Sequence, residues 1–437
     1  MMVVGTVLLW LYNREYLTAV CFGMFILVAA PETIAISIDS TLPVITIHRV
    51  VVGVMFLKCM GRRTIASTFR KAAFWRILLL MAGSYFVSTI LSAHFLISFK
   101  RYLYYLTETL GTFWIIYTSI QSREDASRLF KSIGLAFTLV SVIAIFERYL
   151  DFKIHDLFPR DFDAARFFWT SGNNADITST YSHRILLGYA CALGALIHLL
   201  SGAENLNPRI SSYSLIQAIV CLAALYFSGS RGPWLGFLFG WALMVVMVKG
   251  KAMKWVIVIG SLILLVFIIR PGVWGTISEL AWSTLEPESV KGSSFEWRFV
   301  VIETAIKEIQ NADLFNGLFG FGGGSQILND FGKHEIYPGI WLPIESWDCE
   351  YAIILYERGM IGLALNIFLA VYVLTINGLG IRARENKEID PLRVYCFLGL
   401  AVVIFAKTNV AFFAPQLVYV EASLLAVSSR IVAQLYV

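Results

Sequence analysis

Charge is scarce in this chain. Of 437 residues only 15% are Asp, Glu, Lys or Arg, against 58% hydrophobic, and the mean hydropathy is +0.70. That balance excludes a soluble globular domain and a disordered chain alike. Cysteine is also sparse. Cys21, Cys59, Cys191, Cys221, Cys349 and Cys396 are scattered, five of them in or beside apolar runs, with no disulfide framework and no metal spacing. No HExxH pattern or other zinc-ligand spacing occurs, so no metal site and no cofactor is expected. Strict alternation of apolar and polar residues is missing too, which argues against a barrel. The opening run MMVVGTVLLWLY lacks a cleavage-site pattern and is expected to be retained.

What the sequence does have is apolar runs of about 17–25 residues, each long enough for a hydrocarbon core of about 30 Å. They fall at 16–36, 43–58, 75–96, 102–120, 132–150, 185–202, 211–228, 232–249, 254–270, 359–377, 394–412 and 415–434. The expectation is an all-α, polytopic integral membrane protein of about 12 transmembrane helices, forming one domain over residues 1–437. Residues 1–12 are too short to cross alone. Linkers at 59–74, 121–131, 249–254 and 378–393 carry clustered Lys and Arg. The positive-inside rule assigns all four to the cytoplasm, and alternate crossing makes the four assignments mutually consistent. The net charge of +5 thus reports orientation, with no nucleic-acid partner implied.

Two long segments then fall outside: residues 151–183, and a large extracytoplasmic loop over 271–350. Loops of that length usually carry function. In the second, SFEWRFVVIETAIKEIQNA has helical spacing and GLFGFGGGS breaks it. That glycine run has neither the preceding strand nor the following lysine of a nucleotide loop.

Arg231 stands in the turn SGSRGP between two apolar runs. Pro233 suits the first turn of the following helix, and a guanidinium beside a helix N-terminus suits a phosphate or pyrophosphate. A snorkelling side chain is the plain alternative. Arg166, Arg184 and Arg298 share the outer side, where positive-inside bias makes a topological anchor a poor explanation. Salt bridges to Asp163, Asp176 or Glu296 are the structural alternative. Asp348 and Glu350 precede an apolar helix, followed by Glu357 and Arg358. A carboxylate there could be a general base or, for Asp348, a helix cap. His334 is the one histidine of the large loop and a base candidate. His94, Lys100 and Arg101 form a further polar edge, expected to be an interfacial anchor.

The helix opening on SGSRG-x-WLG, then FEWRFVVIETAIKEI with LFNGLFGFGGG, then DCEYAIILYERGMIGL resemble the O-antigen ligase and O-antigen polymerase superfamily over about residues 160–377. The resemblance implies transfer of a glycan from an undecaprenyl-pyrophosphate donor to an acceptor glycan, on the periplasmic face of the bacterial inner membrane. It also implies that Arg231, with Arg184 or Arg166, holds the pyrophosphate and that Arg298 lies near the sugar. Ligases of the superfamily place a His-Asn pair where this chain has Asp348-Cys349. The Asp-x-x-Tyr pattern, Asp348 to Tyr351, is closer to polymerases, so polymerisation of O-antigen or exopolysaccharide repeat units is the preferred reading. Asp348, Glu350 and His334 are the candidates for the catalytic base, and a chain-length regulator is a further partner to consider. The alternatives are a ligase acting on lipid A core or protein, a polysaccharide-related transporter using intramembrane groups such as Glu108 and Glu147, and a non-catalytic scaffold.

Overall fold

The computed structural model describes residues 13–31, 33–36, 44–60, 72–150, 152–157, 177–204, 208–247, 290–331, 333–337, 340–343, 347–382, 390–411 and 414–435, with isolated positions between 257 and 282. The runs at 1–12 and 254–270, Arg166 and most of the 151–183 segment lie outside the described residues, apart from those isolated positions.

The described chain is helical. In order it forms α1 (Tyr16–Ala29), α2 (Ile47–Met60), α3 (Trp75–Leu91), α4 (Phe95–Tyr104), a π-helix (Tyr105–Gly111) continuing into α5 (Thr112–Ser119), α6 (Arg123–Leu150), α7 (Arg184–Glu204), α8 (Pro208–Phe227) and α9 (Arg231–Met247). Then come α10 (Val290–Asn311), α11 (Leu314–Phe319), α12 (Ser325–Leu328), α13 (Glu350–Arg382), α14 (Pro391–Lys407) and α15 (Pro415–Leu435). Two antiparallel ribbons complete it: β1 (Ala35–Ile36) with β2 (Ile45–Thr46), and β3 (Lys333–Tyr337) with β4 (Ile340–Pro343). Helices α6, α7, α13 and α15 are long and apolar enough to cross a membrane, and α1, α3, α8 and α9 are shorter apolar helices. This is the pattern of a multi-pass membrane protein.

Helix starts follow local chemistry. At α6 the Asp125 carboxylate accepts the N–H groups of Gln121 (3.0 Å) and Ser122 (2.9 Å), while Ser122 Oγ accepts from Asp125 N at 3.1 Å. That reciprocal capping box satisfies otherwise orphaned donors. Successive crossings return their ends to common levels. Tyr16 at the start of α1 donates to Ile115 O in the middle of α5 (3.0 Å), and Arg123 at the start of α6 pairs with Asp390 before α14 (2.9 Å). At the opposite end, Gln416 Nε2 reaches the carbonyls of Ala30 and Thr180.

Small residues set the packing that matters for the site. Gly232, Gly236 and Gly240 recur every four residues along one face of α9. A Cβ at Gly236 would stand 2.7 Å from Tyr189 Cε1, and one at Gly240 would stand 2.6 Å from Leu196 and 2.8 Å from Val402. Such a stripe lets α9 lie closely against α7 and α14 by van der Waals contact.

A second, smaller apolar core joins α10 to the first turns of α13. Val301, Ala305, Trp347, Cys349, Ala352 and Tyr356 are its buried members, with Tyr356 stacked on Phe321 (4.8 Å between centroids) and tilted against Trp347 (5.2 Å). The apolar run expected at 359–377 is therefore the second limb of a longer helix. α13 begins nine residues earlier and kinks at Gly359 (φ 66°, ψ −170°). Beyond the kink its 1.5 Å rise per residue gives about 35 Å, enough to span a bilayer core.

The kink is also where the glycine run docks. Phe321 N–H donates to Tyr356 O and Gly322 N–H to Glu357 O, both at 3.0 Å, and Gly324 N–H donates to the Glu357 carboxylate at 2.7 Å. The run is thus a backbone clasp on α13.

Candidate active site

Three arginines converge from separate elements. Arg184 is the first residue of α7 and Arg231 the first of α9. Arg298 lies on α10, on the stripe continued by Val301, Ala305 and Ile309, whose helical spacing turns it toward α13. On the solvent side of the same helix, Glu303 and Lys307 form an exposed pair at 2.7 Å. The charge of Arg231 is felt by both Arg298 and Arg184, so the three guanidinium groups share one electrostatic neighbourhood. Arg184 is exposed and the other two half-buried. Arg298 Nε is buried with no hydrogen-bond partner among the described residues.

Several elements hold this arrangement. Pro233 nests against Gly188, where a Cβ would approach its ring to 2.6 Å. Tyr189, one turn into α7, donates a 2.6 Å hydrogen bond to Asn409 Oδ1, just past the end of α14. Gly232 sits directly on that pair. Arg298 in turn lies within electrostatic reach of Tyr189 and of Cys349.

Cys349 is buried at the start of α13, and its sulfur faces the backbone N–H groups of Ala352 and Tyr351. Burial pushes its thiol pKa up, with those N–H groups and Arg298 pulling the other way. Helix α13 begins at Glu350, and Asp348 is half-buried two residues earlier. Glu350 bears electrostatically on Cys349, on Tyr351 and on Arg358.

The remaining sequence candidates fall as follows. His334 lies on β3 opposite Leu342; its side chain, like Arg166, is outside the described residues. The salt-bridge alternatives Asp163 and Asp176 are outside them as well, as is the side chain of Glu296.

Sequence reasoning missed Glu421. It forms a 2.6 Å ion pair with Lys407, whose carbonyl faces the Cys349 sulfur at 3.9 Å, and it bears on Tyr351. Tyr189 and Asn409 were missed also. Nothing in residue type marks them; their one signal is a position at a helix end that alternate crossing brings to the arginine level.

The ionisable groups singled out for a carrier have structural partners. Glu108 pairs with Arg49 at 2.9 Å. Glu147 accepts N–H bonds from Ile154 (3.1 Å), Thr178 (3.2 Å) and Ser179 (2.7 Å). It closes the base of the 151–183 segment.

With cations and carboxylates thus gathered at one end of the bundle, the family comparison can be set beside the geometry. The family model described as O-antigen ligase matches residues 216–367, about a third of the chain. Over that stretch the chain is similar to the O-antigen ligase family. No curated protein matches the chain.

The matched stretch runs from α8 through α9, the large loop and most of α13, and so includes Arg231, Arg298, Asp348 and Glu350. Over those residues the chain is similar to enzymes of the O-antigen ligase and polymerase type, a family that performs glycosyl transfer on lipid-linked glycans. The stretch does not include Arg184, Tyr189, Asn409 or Glu421; α7, α14 and α15 bring them to it.

Proposed function

We propose that the chain polymerises glycan repeat units carried on undecaprenyl pyrophosphate, at a site open to the periplasm. The observation that carries this reading is the meeting of Arg184, Arg231 and Arg298, with Arg298 and Glu350 both within electrostatic reach of Cys349. Diphosphate is a good leaving group once its charge is offset, and guanidinium forks at two helix N-termini are suited to that task. An acceptor sugar hydroxyl attacks the anomeric carbon of the donor and forms the new glycosidic bond. The bond from that carbon to the phosphate oxygen breaks, its electron pair leaves with the diphosphate, and the configuration inverts. The hydroxyl proton passes to a carboxylate, Glu350 or Asp348, or to His334. The phosphate-linked sugar already holds the energy the transfer needs.

The linkers at 59–74, 121–131, 249–254 and 378–393 carry clustered Lys and Arg. Positive-inside bias therefore supports about 12 crossings with the arginine end, the 151–183 segment and the 271–350 cap outside the cytoplasm.

A ligase reading is favoured by the description of the matching family. Asp348-Cys349 in place of a His-Asn pair favours polymerisation. The two are separated by deleting the gene and examining surface glycan on a gel. Single repeats retained without a ladder mark a polymerase, whereas loss of all attached glycan marks a ligase. Re-expressing Arg231→Ala should fail to restore either product.

A further inference from the structure

One stretch of the large loop has its polarity inside out for a segment surrounded by water. Residues 314–328, LFNGLFGFGGGSQIL, hold no charged side chain, and Asp313 and Asp330 bound them. Their exposed positions are Leu314, Phe315, Ile327 and Leu328, 44% to 72% exposed and all large and apolar. The polar side chains turn the other way. Ser325 and Gln326 are buried, and Asn316 is half-buried against the Asp313 carboxylate. On α10, in the same loop, the exposed side includes the Glu303–Lys307 pair. Exposed apolar side chains grouped in this way, with no exposed polar member among them, mark a surface that meets something other than water.

The adjoining surfaces are those of membrane-spanning helices. Helix α11 docks backbone to backbone on Gly359, where a Cβ would meet Leu318 C, and Gly359 is where the bilayer-length limb of α13 begins. That limb exposes Met360 in its first turn, then Ile367 and Phe368. The segment also packs against α3 and α4. Ser98 Oγ donates to Gly323 O at 3.1 Å, His94 Nε2 lies 3.3 Å from Asn329 Oδ1, and a Cβ on Gly324 would stand 3.0 Å from Ile97 Cγ2. Those two helices expose Leu80, Phe86 and Ile90, then Phe95, Leu96 and Phe99. Lys100 is buried, so it does not serve as the interfacial anchor expected of it. The apolar side of 314–328 thus continues the apolar surfaces of α3, α4 and α13, at the level where α13 enters the bilayer.

Irregular backbone is tolerated at membrane depth only where protein satisfies its polar groups. The clasp on α13 takes the N–H groups of Phe321, Gly322 and Gly324, and those of Gly317, Gly320, Ser325 and Ile327 donate to carbonyls three or four residues earlier. We propose that residues 314–328 form an interfacial re-entrant segment, with Leu314, Phe315, Ile327 and Leu328 seated among the acyl chains of the extracytoplasmic leaflet. Segments of this kind lie about 5–10 Å into the boundary between headgroups and chains. Asp313 and Asp330 mark where the chain leaves and rejoins the water. The segment holds the α13 kink at the bilayer surface, the depth at which the phosphate of a lipid-linked glycan travels. The leaflet follows from the orientation proposed above; the contact with lipid depends neither on that orientation nor on the glycosyl-transfer reading.

A depth measurement tests this. Phe315→Cys and Ile327→Cys proteins are labelled with a nitroxide and placed singly in phosphatidylcholine nanodiscs. Power saturation then compares collisions with oxygen, which concentrates among acyl chains, and with a water-soluble nickel chelate. Leu80→Cys on α3 and Glu303→Cys on α10 are the lipid and water references. Wild type, whose six cysteines are buried or half-buried, gives the background. Both labels should favour oxygen, with an oxygen-to-nickel ratio above that of Glu303→Cys and approaching that of Leu80→Cys. A ratio no higher than that of Glu303→Cys at either position would overturn the proposal, because that residue would stand in water. Low access to both reagents would overturn it too, marking a surface covered by protein. Leu314→Cys and Leu328→Cys replace either variant that thermal unfolding shows to be unfolded. No glycan donor enters the measurement, so its failure would leave the transfer reading standing.

Discussion

Tyr189 Oη donates a 2.6 Å hydrogen bond to Asn409 Oδ1, joining the second turn of α7 to the residues just past α14, directly under Gly232. The bond and the glycine stripe of α9 together fix where Arg231 stands. Tyr189→Phe should cost about 1 kcal/mol, the net worth of a typical hydrogen bond, and lower transfer activity without abolishing it. Gly236→Leu should do more, because its side chain would have to displace the buried Tyr189 ring. Thermal unfolding of the purified protein, alongside polymer yield, separates the two.

Gly320 and Gly359 are packed backbone to backbone, each with positive φ (82° and 66°). A Cβ on Gly359 would meet Leu318 C at 2.4 Å, and one on Gly320 would meet Glu357 C at 2.4 Å. Gly359→Ala therefore combines left-handed strain of about 1–2 kcal/mol with a clash against main chain that cannot rotate away. Faster hydrogen exchange across 314–329, with the transmembrane helices still protected, is the expected result.

Glu147 separates the enzyme account from a carrier. Its carboxylate ties three backbone N–H groups at the base of the 151–183 segment. Glu147→Ala strands those donors and should destabilise by about 3 kcal/mol, whereas Glu147→Gln should keep most transfer activity with a lowered Tm. A folded Glu147→Gln protein with no activity would favour an ion-coupled role.

Asp313 caps α11 by accepting N–H bonds from Phe315 (2.9 Å) and Asn316 (3.1 Å), and those bonds hold its carboxyl below the ordinary range. A depressed folded-state pKa stabilises above the unfolded value of about 3.9 and loses that contribution as pH falls through the folded value. Protection factors within 314–319, taken relative to the free-amide rate at each pH, should fall on acidification below about pH 4. In Asp313→Asn, which caps without titrating, they should be flat with pH.

Much of the bundle is readable in the sequence, because apolar runs of membrane length have few structural outcomes. The ends are less readable. Residues 16–36 look continuous, yet α1 stops at Ala29 and β1 follows at Ala35. The run at 359–377 hides an earlier start, since Glu350–Arg358 packs on the cap core and a positive-φ glycine joins the limbs. Arg184 and Arg231 announce themselves as cations opening apolar helices. Arg49, Arg358 and Glu421 do not, because they meet only through contacts between helices far apart in the chain.

The most direct test of the central claim is donor-dependent polymer formation by Arg231 and Arg298 variants in a gene-deleted strain, read as the glycan ladder at matched membrane levels of protein. Arg231→Ala and Arg298→Ala should each abolish the ladder, and Arg231→Lys should not restore it, because an ammonium cannot replace a bidentate fork. A wild-type ladder from either alanine variant would contradict the account.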